Sequence, residues 1–202
     1  MGIRKTIALL LALAGLSVAA AACSASVSTG DLSTPGGSKT YSNDQYGFSI
    51  TYDTMFVQGE STGGTSGGSG SLFDIAFADP GGAKIGGKLV DGLQVSVYKL
   101  SRAVKPGEVA GLKTEFQGLV SQLLGSLGGA KTTKPLSLTQ INGVPGYTCA
   151  YAYTEDSVNV TATTYFLIKG QSEYQVTEQA SRDNWAKLSP QLQAAVDSFT
   201  VK

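Results

Sequence analysis

Histidine is absent from the 202-residue chain, and cysteine occurs only twice. The Gly64-Thr65-Ser66-Gly67-Gly68 stretch satisfies G-x-S-x-G, yet no imidazole exists to activate Ser66. The Gly/Ser tract around it also lacks the apolar strand and helix that hold a nucleophile elbow. With no histidine, and with Cys149 the only cysteine besides Cys23, no transition-metal ligand cluster of the usual spacing can be assembled. An excess of positive charge is missing too. Without Arg4 and Lys5 the 15 basic residues fall to 13 against 15 acidic ones, a net charge of about −2. That balance offers no basic patch for nucleic acid or anionic lipid. The apolar run Ile7 to Ala22 is short for a membrane-spanning helix, which needs ~20 predominantly apolar residues, and carries Gly15 and Ser17, so a permanent anchor is the lesser reading.

What the start of the chain does contain is Arg4-Lys5, an uncharged run from Thr6 to Ala22, and small residues before Cys23, the order of an export signal. Ala20-Ala21-Ala22-Cys23 resembles the lipobox of bacterial lipoproteins, with Ala20 where Leu is usual. The resemblance implies cleavage before Cys23 and a diacylglyceryl group on its sulfur. The competing reading is plain secretion, because Ala20-x-Ala22 also suits the general signal peptidase at the same bond. Met1-Gly2-x-x-x-Thr6 fits the N-myristoylation pattern, but the apolar block behind it explains the segment better. Two acyl chains suffice for stable attachment, each buried CH₂ contributing about 0.8 kcal/mol. The expected organisation is a signal peptide over 1–22, a lipidated Cys23 with a flexible Ser/Thr/Gly-rich tether over 23–40, and one folded domain over 41–202.

Within the domain, Phe48, Ile50 and Tyr52 alternate with small and polar residues, the period of a half-buried strand. Met55-Phe56-Val57 extends or pairs with it. Glu60 to Ser71 is almost wholly Gly, Ser and Thr and reads as a loop. Strands follow at Leu72 to Ala78 and Leu93 to Tyr98, separated by the turn signal Asp79-Pro80-Gly81-Gly82. From Pro106 the apolar residues recur at steps of three and four, from Val109 to Leu127, predicting a helix closed by Gly128-Gly129. An antiparallel meander comes next. Leu136 to Gln140 leads through the Asn142-Gly143 turn to Tyr147 to Thr154, then to Val158 to Ile168 and Gln171 to Gln179. A second helix spans Asn184 to Phe199, restarted at Ser189-Pro190, and Phe199 to Val201 is expected to complete the sheet.

Three stretches resemble the Mog1/PsbP-like family, including its bacterial lipoprotein members. They are Tyr46-Gly47-Phe48-Ser49-Ile50-Thr51-Tyr52, Ile141-Asn142-Gly143-Val144-Pro145-Gly146 and Asp197-Ser198-Phe199-Thr200-Val201. Asp53 stands where the family usually has Pro. The resemblance covers essentially Tyr41 to Lys202 and implies an α+β fold, an α/β/α sandwich with a central, mainly antiparallel sheet. It implies little about function, because members bind different partners and a shared fold does not carry a shared site.

Other candidate chemistry is thin. Gly82-x-x-x-x-Gly87-Lys88 approaches a P-loop, but Leu89 replaces the hydroxyl residue and a strand follows where a helix is needed. Asp74, Asp79 and Asp91 could offer oxygens to a hard cation, though turn carboxylates are usually just solvated. Cys149 reads as a small buried hydrophobe, with a Cys23–Cys149 disulfide conceivable only if Cys23 is not lipidated. Tyr147, Tyr151 and Tyr153 share one strand face, with Tyr165 and Tyr174 on neighbouring strands. They read first as core between two helical layers, and otherwise as a binding surface. The expectation is a non-enzymatic binding module without a cofactor, tethered to the outer face of a bacterial membrane through Cys23, or secreted. Its expected partner is a protein of the cell envelope. A carrier of a small apolar ligand is the second reading, requiring a cavity between the sheet and the Val109 to Leu127 helix. A photosystem accessory role is a remote third.

Overall fold

The computed structural model describes residues 36–62 and 70–202. The expected signal peptide, Cys23, the tether up to residue 35 and the Gly64 to Gly68 motif lie outside the described residues. In chain order the elements are β1 (Ser38–Asn43), β2 (Phe48–Asp53), β3 (Val57–Thr62), β4 (Phe73–Ala78), β5 (Lys84–Ile85), β6 (Lys88–Leu89) and β7 (Gly92–Val104). A 3₁₀ segment (Pro106–Leu112) leads into α1 (Lys113–Ser126), followed by β8 (Lys131–Ile141), β9 (Val144–Glu155), β10 (Val158–Ser181), α2 (Arg182–Ser198) and β11 (Thr200–Val201).

The central sheet is antiparallel and built from six elements in the order β3-β4-β7-β10-β9-β8. β10 serves two neighbours with its two halves: Val158 to Leu167 pairs with β9, whereas Gly170 to Gln179 pairs with β7. A straight strand would hold Thr164 and Thr177 on the order of 40 Å apart. Their hydroxyls lie 3.0 Å from each other, so β10 doubles back on itself, and Gly170, at φ 62°, marks the bend. Asn142-Gly143 and Asp156-Ser157 hold left-handed backbone at the tips of the neighbouring hairpins, the geometry that matches strand twist.

Two cores flank this sheet. Phe116, Leu119 and Val109 of the α1 side pack against Tyr147, Tyr151 and Phe166 on one face. On the other, Leu188, Leu192 and Val196 of α2 pack with Phe77, Val95, Val176, Phe48 and Ile50. The result is a helix-sheet-helix sandwich, with a small sheet β1-β2-β11 sharing the α2 side.

Several expectations shift in detail. The C-terminal strand β11 pairs with β2 in the small sheet rather than completing the central one. β1 begins at Ser38, inside the stretch expected to be tether. The first helix opens as 3₁₀ through Pro106–Leu112, where Gly107 and Gly111 weaken α-helical propensity. α2 runs unbroken through Pro190 instead of restarting there, since Leu188, Leu192, Ala195 and Val196 bury a continuous stripe that holds the turn in place. Gly86 and Gly87, both at positive φ, form the tip of the β5–β6 hairpin, so the P-loop-like stretch is a two-residue turn.

Candidate cavity beneath the C-terminal helix

The five tyrosines are all buried and do not form one surface. Tyr147, Tyr151 and Tyr153 face α1, and Tyr165 and Tyr174 face α2. Their hydroxyls are used internally. Tyr147 donates to Ala110 O at 2.8 Å, Tyr174 to Tyr46 O at 2.7 Å and Tyr153 to Gln179 Oε1 at 3.3 Å, while Tyr151 lies 3.2 Å from Thr164 Oγ1. Cys149 is buried among them, its thiol pushed up to about 11 by desolvation. The three acidic residues considered for a hard cation serve the backbone and nearby side chains. Asp79 accepts from Gly81 N, Asp74 from Ser71 and Gln94, and Asp91 from Ser181 N, Ser181 Oγ, Asn184 and Ala83 N. Among the described residues, no group of three or more His, Cys, Asp or Glu side chains is placed to hold a metal ion.

A cavity of about 470 Å³ opens on the other face of the sheet, under α2. Its origin is legible in the packing. Leu188, Leu192, Ala195 and Val196 seat α2 over β10 and β2, so the helix covers the middle of the sheet and not its β8 edge. Trp185, Ser189 and Gln193, spaced by four, form the flank of α2 that overhangs this edge. Below them, β8 leaves regular register with β9 between Thr132 and Lys134 and again between Lys134 and Ser137. Pro135, which has no N–H for the ladder, sits in that second irregularity on an edge strand, where proline is tolerated. Helix overhang and strand irregularity together leave the gap.

The floor is a row of paired positions across the sheet. Thr163 of β10 lies opposite Ala150 of β9, which faces Lys134 of β8; Tyr165 lies opposite Thr148, which faces Ser137. From the returning half of β10, Glu178 completes the floor with 3% of its surface exposed. Burial pushes its carboxyl up to about 7, partly opposed by a hydrogen bond from Thr163; Asp197 pushes the same way as burial and Lys134 the other. Glu178 Oε2 has no hydrogen-bond partner, and neither has Thr148 Oγ1. These are the only buried side-chain polar atoms so placed among the described residues, and both belong to residues of this one cavity. Tyr165 donates to Gln193 Oε1 at 3.1 Å, and Gln193 Nε2 donates to Asp197 Oδ1 at 2.9 Å, so the amide of Gln193 is committed at both ends.

The carrier reading requires a cavity between the sheet and the first helix. Beside α1, the space lined by Leu100, Val104, Leu112 and Phe116 amounts to about 20 Å³. Phe116 fills that side, with its ring 5.0 Å from Tyr147 and 5.5 Å from Phe166. Sequence reasoning picked out Tyr165 but missed Glu178, Thr148 and Trp185. One signal was available: Tyr174, Val176, Glu178 and Ala180 share one face of a strand, which places a glutamate on a core-facing register.

The fold and this cavity define an α+β sandwich with a recessed polar site. Among solved structures the chain is similar to cyanobacterial PsbP (CyanoP) from Synechocystis sp. PCC 6803, with TM-score 0.53 and 15% identity over 86% of this chain and 100% of that one. It is also similar to LpqN of Mycobacterium tuberculosis, described as involved in cell envelope biogenesis, with TM-score 0.50 and 14% identity over 82% of this chain and 91% of that one. A crystal structure from Bacteroides thetaiotaomicron VPI-5482 matches with TM-score 0.51 and 13% identity over 81% of this chain, which spans about half that protein's length, 48%. At such identities the likeness is one of fold, and the fold is PsbP-like. No family model and no curated protein matches the chain.

Proposed function

We propose that this chain is an extracytoplasmic binding module of the bacterial cell envelope, anchored by lipid at Cys23, that works by holding a ligand or an envelope protein rather than by catalysis. The observation that carries the binding reading is the cavity beneath α2, which retains an unpartnered buried carboxylate oxygen in its floor. Leaving a buried polar group unsatisfied costs about 1–3 kcal/mol, so a site of this kind is maintained for what it recognises. Thr163, Thr148, Tyr165 and Gln193 around Glu178 are hydrogen-bonding groups, and they suit recognition better than bond-breaking. Support for the envelope setting comes from the export signal before Cys23 and from the PsbP-like fold that this chain shares with LpqN. Among the described residues, no helix is long and apolar enough to cross a membrane; the proposal takes the lipid at Cys23 as the anchor.

The test is the intact mass of the protein from the membrane and soluble fractions of a bacterial host. A membrane-bound species beginning at Cys23, heavier than the polypeptide by a diacylglyceryl group, is expected, and Cys23→Ala is expected to abolish that species. Unmodified soluble protein beginning at Cys23 would overturn the anchor and leave a secreted binding protein. With the membrane-bound species in hand, crosslinking at the membrane identifies the envelope partner.

A further inference from the structure

We propose that the cavity beneath α2 takes a small organic cation, a primary ammonium carried on an apolar or aromatic frame, with Glu178 as its counter-ion and the flank of α2 at Trp185 as its wall. This deepens the binding-module reading and rests on it. Three observations converge. The volume, about 470 Å³, falls within the range of roughly 300–1,000 Å³ typical of small-ligand sites. Trp185, Pro190, Tyr165 and Pro135 supply apolar and aromatic surface, and tryptophan is the aromatic side chain best suited to a cation.

The third observation concerns donors and acceptors. Of the two unsatisfied buried atoms, ionised Glu178 Oε2 can only accept and the Thr148 hydroxyl can accept or donate, whereas Gln193 already uses both ends of its amide. The missing complement is therefore rich in donors, and an ammonium offers three donors and no acceptor. It also brings the charge that a buried carboxylate lacks. The charged and titratable groups facing Glu178 are Lys134 from β8, Asp197 from α2 and Tyr165 from the opposite half of β10; β7 places Leu93 beside it. Tyr165, pushed up to about 12 mainly by burial, remains a neutral donor. Asp197 assists a cation, and Lys134 is exposed at the rim, where water screens it.

Trp185 is the only tryptophan in the chain, so intrinsic fluorescence reads this cavity directly. The experiment titrates the full chain in detergent with benzylamine and, separately, with its neutral isostere benzyl alcohol, with micelles alone as the blank. Benzylamine is expected to give a saturable change, about tenfold tighter at pH 8 than at pH 6, because Glu178 ionises between them. Glu178→Gln is expected to weaken binding at least tenfold and to remove the pH dependence. Ser137→Phe, which fills the cavity from an exposed strand position, is expected to weaken binding while leaving Glu178 in place. Equal binding of benzyl alcohol, or unchanged binding in Glu178→Gln, overturns the cation and leaves the binding cavity standing. No saturable change with either probe overturns the cation, and the membrane crosslinking described above then decides the broader reading separately.

Discussion

Asn142 has left-handed backbone, φ 46°, and its amide nitrogen donates to Asp197 O at 2.8 Å and Phe199 O at 2.9 Å. It thereby closes the last turn of α2, whose terminal carbonyls have no partner within the helix. The neighbouring family-like stretches do comparable work. Ser198 Oγ accepts from Thr51 N and donates to Thr51 O, tying the end of α2 to β2, and Tyr174 and Lys202 N both donate to carbonyls of the Tyr46-Gly47 turn. Most of the residues that carry the likeness to the Mog1/PsbP-like family thus meet at one seam between the first strands and the last helix, while Asp197 from the same stretches also bears on Glu178. Their main work is to hold the fold together. Asn142→Ala is expected to lower unfolding free energy by about 2 kcal/mol, since two carbonyls lose a donor and Ala adopts this left-handed φ less readily than Asn. Urea denaturation measures it: the midpoint should fall with an unchanged slope, and Asn142→Gly, which keeps the backbone relaxed, should fall between. A midpoint for Asn142→Ala indistinguishable from the parent would mean that Asn142 does not hold the end of α2.

At the scale of elements, the strands and helices were largely legible because their apolar residues keep period, and the Asn142-Gly143 tip because Asn-Gly favours left-handed backbone, whereas the Gly86-Gly87 tip of the β5–β6 hairpin was hidden in a P-loop-like stretch. What was not legible depends on contacts distant in sequence. β8 starts at Lys131 although Lys131 to Pro135 carries no apolar alternation, because pairing with β9 and not burial makes it a strand. Pro190 looked like a break in α2, yet the buried stripe across it outweighs one missing backbone bond. The cavity beneath α2 had no local signal, since only the lateral position of α2 over β10 shows which edge is left uncovered. Glu178 was visible as a core-facing acid, but its neighbours Thr148 and Trp185 come from different elements, and no local pattern joins them. Gly146 shows how tightly β9 and β10 are matched. A β-carbon there would lie 2.0 Å from Phe166 O, a backbone atom that cannot rotate away. Gly146→Ala is therefore expected to destabilise by more than about 3 kcal/mol, in the range reserved for overpacking and backbone displacement. Thermal unfolding followed by circular dichroism checks this. A change below ~1 kcal/mol would mean that β9 can slide past β10 and that the register of the cavity floor is soft.

Across the described residues, two buried glutamates sit on opposite faces of the sheet. Glu173, 1% exposed, accepts from Gln175 Nε2 at 2.8 Å, and Glu178 lies in the cavity floor. Burial is the main cause in both, pushing each carboxyl up to about 7 from an ordinary value of 4.5. Between these values the folded chain binds more protons than the unfolded one, so stability falls as pH rises from about 4.5 through 7 and is level above. A shift of this size corresponds to about 3 kcal/mol for each residue. Asp44, held low by Lys202, and Glu108, held low by the Lys105 backbone and Arg102, act in the opposite sense and only below pH 4.5, so the two windows do not overlap. Glu173→Gln and Glu178→Gln are each expected to raise stability at pH 8 and to leave it nearly unchanged at pH 4.5. Because the two residues point to opposite faces and share no partner, the double variant should sum the two effects and flatten the profile between pH 5 and 7. Urea midpoints at pH 4.5 and 8 for the parent, both single variants and the double variant decide it. If the parent is as stable at pH 8 as at pH 5, neither carboxyl is dry. If Glu178→Gln alone fails to flatten its share, water or rim charge already satisfies Glu178, and the cavity loses the unpaired anion that makes it a site for a cation.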